Sequence, residues 1–510
     1  MIPALFVAGA GTLPMSTAIS DTGPFRVRAR VTFYIAFLSL TAAYFVAWPI
    51  WRAQFLIEIW PTESWNAYWQ DAAAALLPLY PASESLVTNN YPPLSFYAIG
   101  MLGKLLGTDS LFVGRAVSLL ALASLAVEVF IAVRILTAGK VGAAVAALWY
   151  VAMMARNSTV YVGANDPQLA GLAIMGAALV YFLHLCQSGR SPTPALMLMI
   201  VAGFWKHNNV AVPLTALFWL YISSSCYAVR ATLCSGSVAV VALLACVAIF
   251  GPNFIPNLLA TRQYAWSNVL GNIGHLQWSA LALLIWAAWA IFDRRSIPAR
   301  FTALHIGFGL LTCVLQWFGH GIFGNAEFDL ILALAIGVGV TFNRMEASYL
   351  ARRIGVDGCR DAVVIALLLR LFLTDRQETA LLLLSPEFRD SIYSSARNVS
   401  SEAHIVAAIP GDVACTIKLI CRQAGKPFVV DEFKTDELVA TGRATEADIG
   451  ALLTARQITV HPKFGPTGAE ANTSISRWWR TINFKTTASG QLQKSVCESA
   501  CAISPRELPN

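Results

Sequence analysis

Charge is what this sequence has least of. Asp, Glu, Lys and Arg make up 13% of its 510 residues, about half the share found in an ordinary soluble protein. Hydrophobic residues make up 56%. Such a chain cannot hide its apolar surface in one water-soluble core, so lipid is expected to solvate most of it. A nucleic-acid binder is excluded as well, because the excess charge of +7 is scattered over short connectors instead of forming a patch. Zinc-ligand spacing is missing, since no Cys pair has partners at the required separation. An internal repeat is missing too, which argues against the two-half plan of many secondary transporters. A cleaved leader is not expected either. Residues 4–10 are too few to span, and Arg26, Arg28 and Arg30 stand directly before the first long apolar run.

Long apolar runs are what the chain has instead. They cover residues 31–50, 111–136, 141–161, 167–187, 193–205, 210–226, 233–250, 277–292, 301–318, 328–342 and 362–373. At roughly 20 residues per span this makes about eleven crossings. The basic connectors at 134–140, 190, 230, 294–295 and 344–353 then fall on the same side as Arg26–Arg30, the expected cytoplasmic side. That parity requires residues 92–106 not to cross. A stretch of about fifteen residues that opens with Pro-Pro suits an interfacial helix better.

The expected division is a cytoplasmic segment 1–30, a membrane domain 31–374 with an outer loop 51–110, and a soluble periplasmic domain 375–510. Charge is dense in the last part, and Phe428–Val430 and Ile458–Val460 read as short strands beside helical stretches. One of these, residues 445–457, opens on an N-cap-like Thr445. The fold class is therefore mostly α, a polytopic helix bundle with a small α/β soluble domain. Cys186, Cys226, Cys234, Cys246 and Cys313 read as small hydrophobes. Cys415 with Cys421, and Cys497 with Cys501, are close pairs in a compartment that permits disulfides.

The first outer loop concentrates what charge there is. Glu58, Glu63, Asp71 and Glu84 stand among Trp60, Trp65, Trp69 and Tyr91. Carboxylates in such a chain are costly unless they face water, a substrate or an ion path. The tryptophans alone would suit an interface belt. Asp166 precedes Pro167, the pattern of an N-cap with proline at the first helical position. Lys206 and His207 interrupt an apolar stretch. By the same parity all of these, together with residues 251–276 and 319–327, lie on the outer face, placed so that they can converge on one site.

An acidic residue soon after the first span, an aromatic-rich stretch and then Tyr91-Pro92-Pro93-Leu94 resemble the GT-C glycosyltransferases. Within them the likeness is to the bacterial branch of the lipid A aminoarabinose transferase, rhizobial lipopolysaccharide sugar transferases and protein O-mannosyltransferases. Arg115 in GRAVS, Asp166 in ANDPQ and Lys206 in the broken helix pair extend it over residues 31–345. The resemblance implies inverting transfer of a hexose or pentose from a polyprenyl-phosphate donor, at the periplasmic face of the inner membrane. The acceptor would be a lipid, a polysaccharide or a protein. Membrane lipids are the other expected partners.

Such chemistry needs a carboxylate to take the acceptor's proton and cations for the leaving phosphate. The implied base is Glu63, with Asp71 as its substitute. Arg115, Lys206 and His207 are the implied phosphate ligands, and Trp65, Asn90, Tyr91 and Asp166 the implied pocket. No cofactor and no metal ligand set is assigned, and a divalent metal is left open. The chain departs from the family where an Asp-Glu pair is usual, for Thr62-Glu63 stands there. A secondary transporter and a non-catalytic lipid-binding protein are the alternative readings. The missing Asp favours the latter, and the clustering of unusual residues in an outer loop weighs against the former.

Overall fold

The computed structural model describes residues 24–461 except 224, 323 and 374–377. Most of the 1–30 segment, the Cys497 and Cys501 pair and the polar end of the last domain lie outside the described residues. Every apolar run expected to cross is a helix. In chain order these are α1 (Pro24–Arg52), then α2 (Pro61–Ala74) and α3 (Leu94–Leu106) in the first loop. Next come α4 (Ser110–Thr137), α5 (Lys140–Asn157), α6 (Pro167–Gln187), α7 (Thr193–Trp205), α8 (Ala211–Ser223) and α9 (Ser225–Phe250). A second loop carries α10 (Phe254–Leu258) and α11 (Trp266–Asn272). The bundle ends with α12 (Gln277–Ala290), α13 (Ile297–Trp317), α14 (Phe328–Asn343), α15 (Tyr349–Ile354) and α16 (Val356–Phe372). Among the described residues, 7 helices are long and apolar enough to cross a membrane. This is a multi-pass membrane bundle.

One boundary differs from expectation. α9 begins at Ser225, not near 233, so Arg230 lies inside a helix and not in a connector. No Pro or Gly between Ser225 and Leu233 breaks it. Its Val229, Leu233, Val241, Leu244 and Ile249 are exposed, as side chains in contact with lipid would be. At the centre, α14 is buried along almost its whole length and packs on α4, α5, α12 and α13.

Polar contacts tie the bundle at both ends. At one end Arg30 pairs with Asp357 at 2.7 Å, Asn343 Nδ2 donates to Thr137 and to Gly139 O, and Arg344 pairs with Asp293. At the other end Gln168 Nε2 donates to Asn209 Oδ1 at 2.6 Å, Asn208 Nδ2 donates to Gln316 at 3.0 Å, and Ala211 N–H donates to Asp329 at 2.9 Å. This second end also carries the first loop. There α3 is 13 residues long, about 20 Å, which is short of a hydrocarbon layer of about 30 Å. It packs on α2 and exposes Met101, Leu102, Leu105 and Leu106.

A small domain follows the bundle, built from α17 (Glu378–Leu384), α18 (Pro386–Ala408), α19 (Lys418–Gln423), α20 (Glu432–Ala440) and α21 (Glu446–Ala455). Two strands, β1 (Val413–Cys415) and β2 (Thr459–His461), pair in parallel with Ala414 opposite Val460. Thr445 caps α21 through a reciprocal bond with Asp448. Cys415 and Cys421 form a disulfide. Phe428–Val430, expected as a strand, is not one. Its side chains are committed elsewhere: Phe428 stacks on Tyr68 at 5.0 Å, and Val430 packs in a cluster with Leu86.

The domain is docked on the first loop by charge. Arg422 reaches Asp71 at 2.7 Å and Asp109 at 2.9 Å. Trp65 Nε1 donates to Asp431 at 3.1 Å, and Lys434 Nζ donates to Ser85 O at 2.5 Å and to Val87 O at 3.0 Å. Arg422→Ala should therefore loosen the domain. Limited proteolysis of the purified protein should cut the 378–461 region faster than in wild type, with bundle fragments unchanged. Equal cleavage rates would show that the Arg422 pairs do not hold the domain down.

Candidate functional site

Two polar assemblies sit at the loop-bearing end of the bundle, and they differ in kind. The first is sealed. Pro61 opens α2 at its first position, which places Glu63 in the first turn, where the helix dipole favours an acid. Arg115, one turn into α4, meets it. The guanidinium donates through Nε to Glu63 Oε1 and through Nη2 to Oε2, both at 2.8 Å. Its remaining donors go to the carbonyls of Ala53, Phe55 and Ile57. All the N–H groups an arginine owns are thereby used. Glu63 in turn also accepts the N–H of Ile59 at 2.9 Å and of Asn165 at 2.8 Å. The two side chains are 0% and 1% exposed.

Asn165 extends this knot. It exchanges hydrogen bonds with Gln70 at 2.9 and 2.8 Å, and its carbonyl accepts from Asn66. It fits because residue 114 is glycine, where a Cβ would overlap Asn165 Oδ1. The knot holds together the turn after α1, α2, α4 and the start of α6.

The second assembly is open. Asp166, next to Asn165, caps α6: its Oδ1 accepts Gln168 N–H at 2.8 Å, and Oδ2 has no partner among the described residues. Lys206 is the C-cap of α7, in the connector before α8, where the dipole favours a cation. Its Nζ lies 3.0 Å from the centroid of the Tyr91 ring, a cation–π contact, and it makes no salt bridge among the described residues. His207 is exposed, yet set deep among protein atoms. Tyr91 packs edge-on to His207 at 6.5 Å, and Trp65 backs it at 4.9 Å.

Electrostatics bind these groups into one site. Burial pushes the Lys206 ammonium down to about 7 against the pull of Asp166, and Arg262 pushes the same way as burial. Burial, then Lys206 and Arg262, push His207 down to about 4. Burial, and next Asp166, hold the Tyr91 phenol well above its usual value. Arg262 thus acts on both Lys206 and His207; its loop was expected on the outer face, but the residue itself was not singled out. Its only signal was a single cation in the polar loop between α9 and α11.

The other expected site residues are placed elsewhere. Glu63 and Arg115 are spent on each other and on backbone. Asp71 does not share Glu63's surroundings: it is 46% exposed and bound to Arg422 and to Ser110. Asn90 is half-buried beside Tyr91; the bond that shapes this turn comes from Asn89, whose Oδ1 accepts Tyr91 N–H. Glu58 is pushed up to about 7 by burial, but the groups acting on it include Lys418, Ser64 and Glu63, and neither Lys206 nor Arg262 is among them. Among the described residues no group of three His, Cys, Asp or Glu side chains is arranged to hold a metal ion.

Removing one partner of a sealed ion pair leaves the other charged and unpaired, which costs about 3–5 kcal/mol. Glu63→Gln should therefore lower the thermal unfolding temperature and the yield of purified protein, and Arg115→Lys should do the same by losing the fork of donors. A Glu63→Gln protein as stable as wild type yet inactive would return the general-base role to Glu63.

No protein family and no curated protein matches the sequence. Among solved structures, ArnT from Cupriavidus metallidurans in the apo state is similar with a TM-score of 0.51 at 15% identity, over 82% of this chain and 89% of that one. The same protein bound to undecaprenyl phosphate is similar with a TM-score of 0.50 at 15% identity, over 81% and 88%. The Archaeoglobus fulgidus oligosaccharyltransferase in the apo form is more distant, with a TM-score of 0.41 at 11% identity over 78% and 60%. The chain has the ArnT fold, the architecture that the GT-C resemblance implies.

Proposed function

We propose that this protein transfers a sugar from a polyprenyl-phosphate donor to an acceptor hydroxyl beside Lys206, Asp166 and Tyr91, on the periplasmic side of the inner membrane. One observation carries the reading. Lys206 and Arg262 have no salt-bridge partner among the described residues, and Lys206, set against the Tyr91 ring, feels the charges of both Asp166 and Arg262, at one end of an ArnT-like bundle. Cations held in so apolar a chain are costly unless an anion completes them, and a phosphate does so with charge-assisted bonds. That a relative of the same fold was solved with undecaprenyl phosphate supports a lipid phosphate as that anion.

The residues suit the reaction. As the acceptor oxygen attacks the anomeric carbon, the bond from that carbon to the phosphate oxygen breaks, and the electron pair leaves with polyprenyl phosphate. Lys206 and Arg262 stabilise the charge that develops there. The acceptor's proton goes to a carboxylate. Asp166 suits this role, since Oδ1 is fixed by Gln168 and Oδ2 is unpartnered. In this reading Glu63 and Arg115 position the site and Asp71 docks the soluble domain. His207, Tyr91 and Trp65 line the sugar side. The acceptor class, and whether the sugar is a hexose or a pentose, follow from mass spectrometry of lipids and surface polysaccharides in cells lacking the protein. A missing sugar supports the reading, and an unchanged envelope opposes it.

Asp166→Asn should fold normally but lower turnover by about two to four orders of magnitude. Wild-type turnover in that variant would exclude Asp166 as the base. Lys206→Ala should weaken binding of undecaprenyl phosphate about ten- to a hundredfold, from the loss of a charge-assisted bond of roughly 1.5–3 kcal/mol.

The depressed Lys206 value sets a pH dependence. The ammonium is present below about 7 and is lost as the pH rises through it, so donor affinity should fall on the alkaline side. Bound phosphate favours the charged form and moves the fall upward. Lys206→Arg, whose guanidinium stays charged, should bind with a flat profile over the same range. A wild-type profile equally flat would contradict the assignment.

A further inference from the structure

Arg262 sits on a loop, yet three contacts fix it from outside the bundle. Residues 263–265 and 318–320 form a short clip: Tyr264 bridges Gly319, His320 N–H donates to Gln263 O at 2.8 Å, and Ala265 N–H donates to Phe318 O at 3.0 Å. α20 of the soluble domain fastens this clip. Glu437, 1% exposed, accepts Gln263 N–H at 2.5 Å and holds His320 Nδ1 at 2.5 Å.

One turn or so before Glu437, Phe433 reaches the same place. The Arg262 guanidinium carbon lies 5.2 Å from the centroid of its ring. The ring edge presses on Gly321, where a Cβ would stand 2.6 Å from Phe433 Cε2, and the Arg262 stem passes Gly319, where a Cβ would stand 2.8 Å from Cδ. The start of α20, just before Phe433, is anchored as well. Asp431 caps the helix and accepts from Trp65, the residue that backs Tyr91.

We propose that Phe433 is a positioning residue: its ring face holds the Arg262 guanidinium where it acts together with Lys206 on the donor phosphate, so that the phosphate site is completed by the soluble domain. The inference rests on the donor reading above and adds to it. Arginine has a long stem with many rotamers, and an arginine free to sample them would lose affinity for a phosphate. A ring face restricts the guanidinium plane without neutralising it, which a carboxylate partner would do. The two glycines leave room for that stack, and a larger residue at either position would have to displace Phe433 or Arg262. The soluble domain is thereby built into the site and is not a mere appendage of the bundle.

The test uses the full-length protein in detergent and undecaprenyl phosphate as the probe. Phe433→Leu keeps an apolar side chain of similar reach but removes the ring face, so binding should weaken by about threefold to thirtyfold, the range of a cation–π contact. Phe433→Tyr should restore binding to near wild type. In an Arg262→Ala background Phe433→Leu should cost nothing further, since the two act as a unit. Binding by Phe433→Leu equal to wild type, or a loss that simply adds to that of Arg262→Ala, would overturn the role of Phe433 while leaving the donor site intact. A wild-type protein that does not bind the probe would sink the donor reading and this inference together.

Discussion

The buried pair of Arg115 and Glu63 is the constraint on which the rest of this end of the protein depends. A guanidinium and a carboxylate removed from water are each costly, and they persist only with complete hydrogen bonding. Here that completeness is reached by drawing in the carbonyls of the turn after α1 and the amides of Ile59 and Asn165. Four pieces of chain are fixed by one knot. Asp166, the next residue after Asn165, is held where α6 begins, so the position of the open carboxylate is inherited from the sealed one.

This separates two uses of charge that look alike in a sequence. In the sealed pair every Arg115 donor and both Glu63 oxygens are used, and the result is rigidity. In the open assembly Lys206 faces a ring, Arg262 faces another ring, and Asp166 keeps one oxygen unpartnered. Rings hold cations in place without cancelling them, which is what a site for an anion requires. The soluble domain takes part in the open one. Through Asp431 it touches Trp65 behind Tyr91, and through Glu437 and Phe433 it touches the loops that carry Arg262.

The sequence made some of this legible for direct physical reasons. Apolar runs must be helical in lipid, so every expected span appears as a helix, and Asp166-Pro167 and Thr445 announce helix starts by local chemistry. Lys206 was legible as a residue of interest because it interrupts apolar sequence, and Tyr91 through the Tyr-Pro-Pro-Leu motif, though not as neighbours. What could not be read is pairing at a distance. Glu63 and Arg115 are far apart in sequence, and nothing local says that each consumes the other. Asp71 lay on the right helix, but its surroundings depend on Arg422 from the soluble domain. Arg262 carried no pattern at all. Phe428–Val430 has the composition of a strand, but its rings and branched side chains are taken up by Tyr68 and Leu86 and it gains no strand partner.

The most direct test of the central claim is a structure of the full-length protein with undecaprenyl phosphate bound. The account predicts the phosphate within hydrogen-bond distance of Lys206 Nζ and the Arg262 guanidinium, with Asp166 Oδ2 open toward the sugar side and the Arg115–Glu63 pair unchanged. A phosphate bound instead by Arg115 released from Glu63, or by Arg422 released from Asp71, would contradict it.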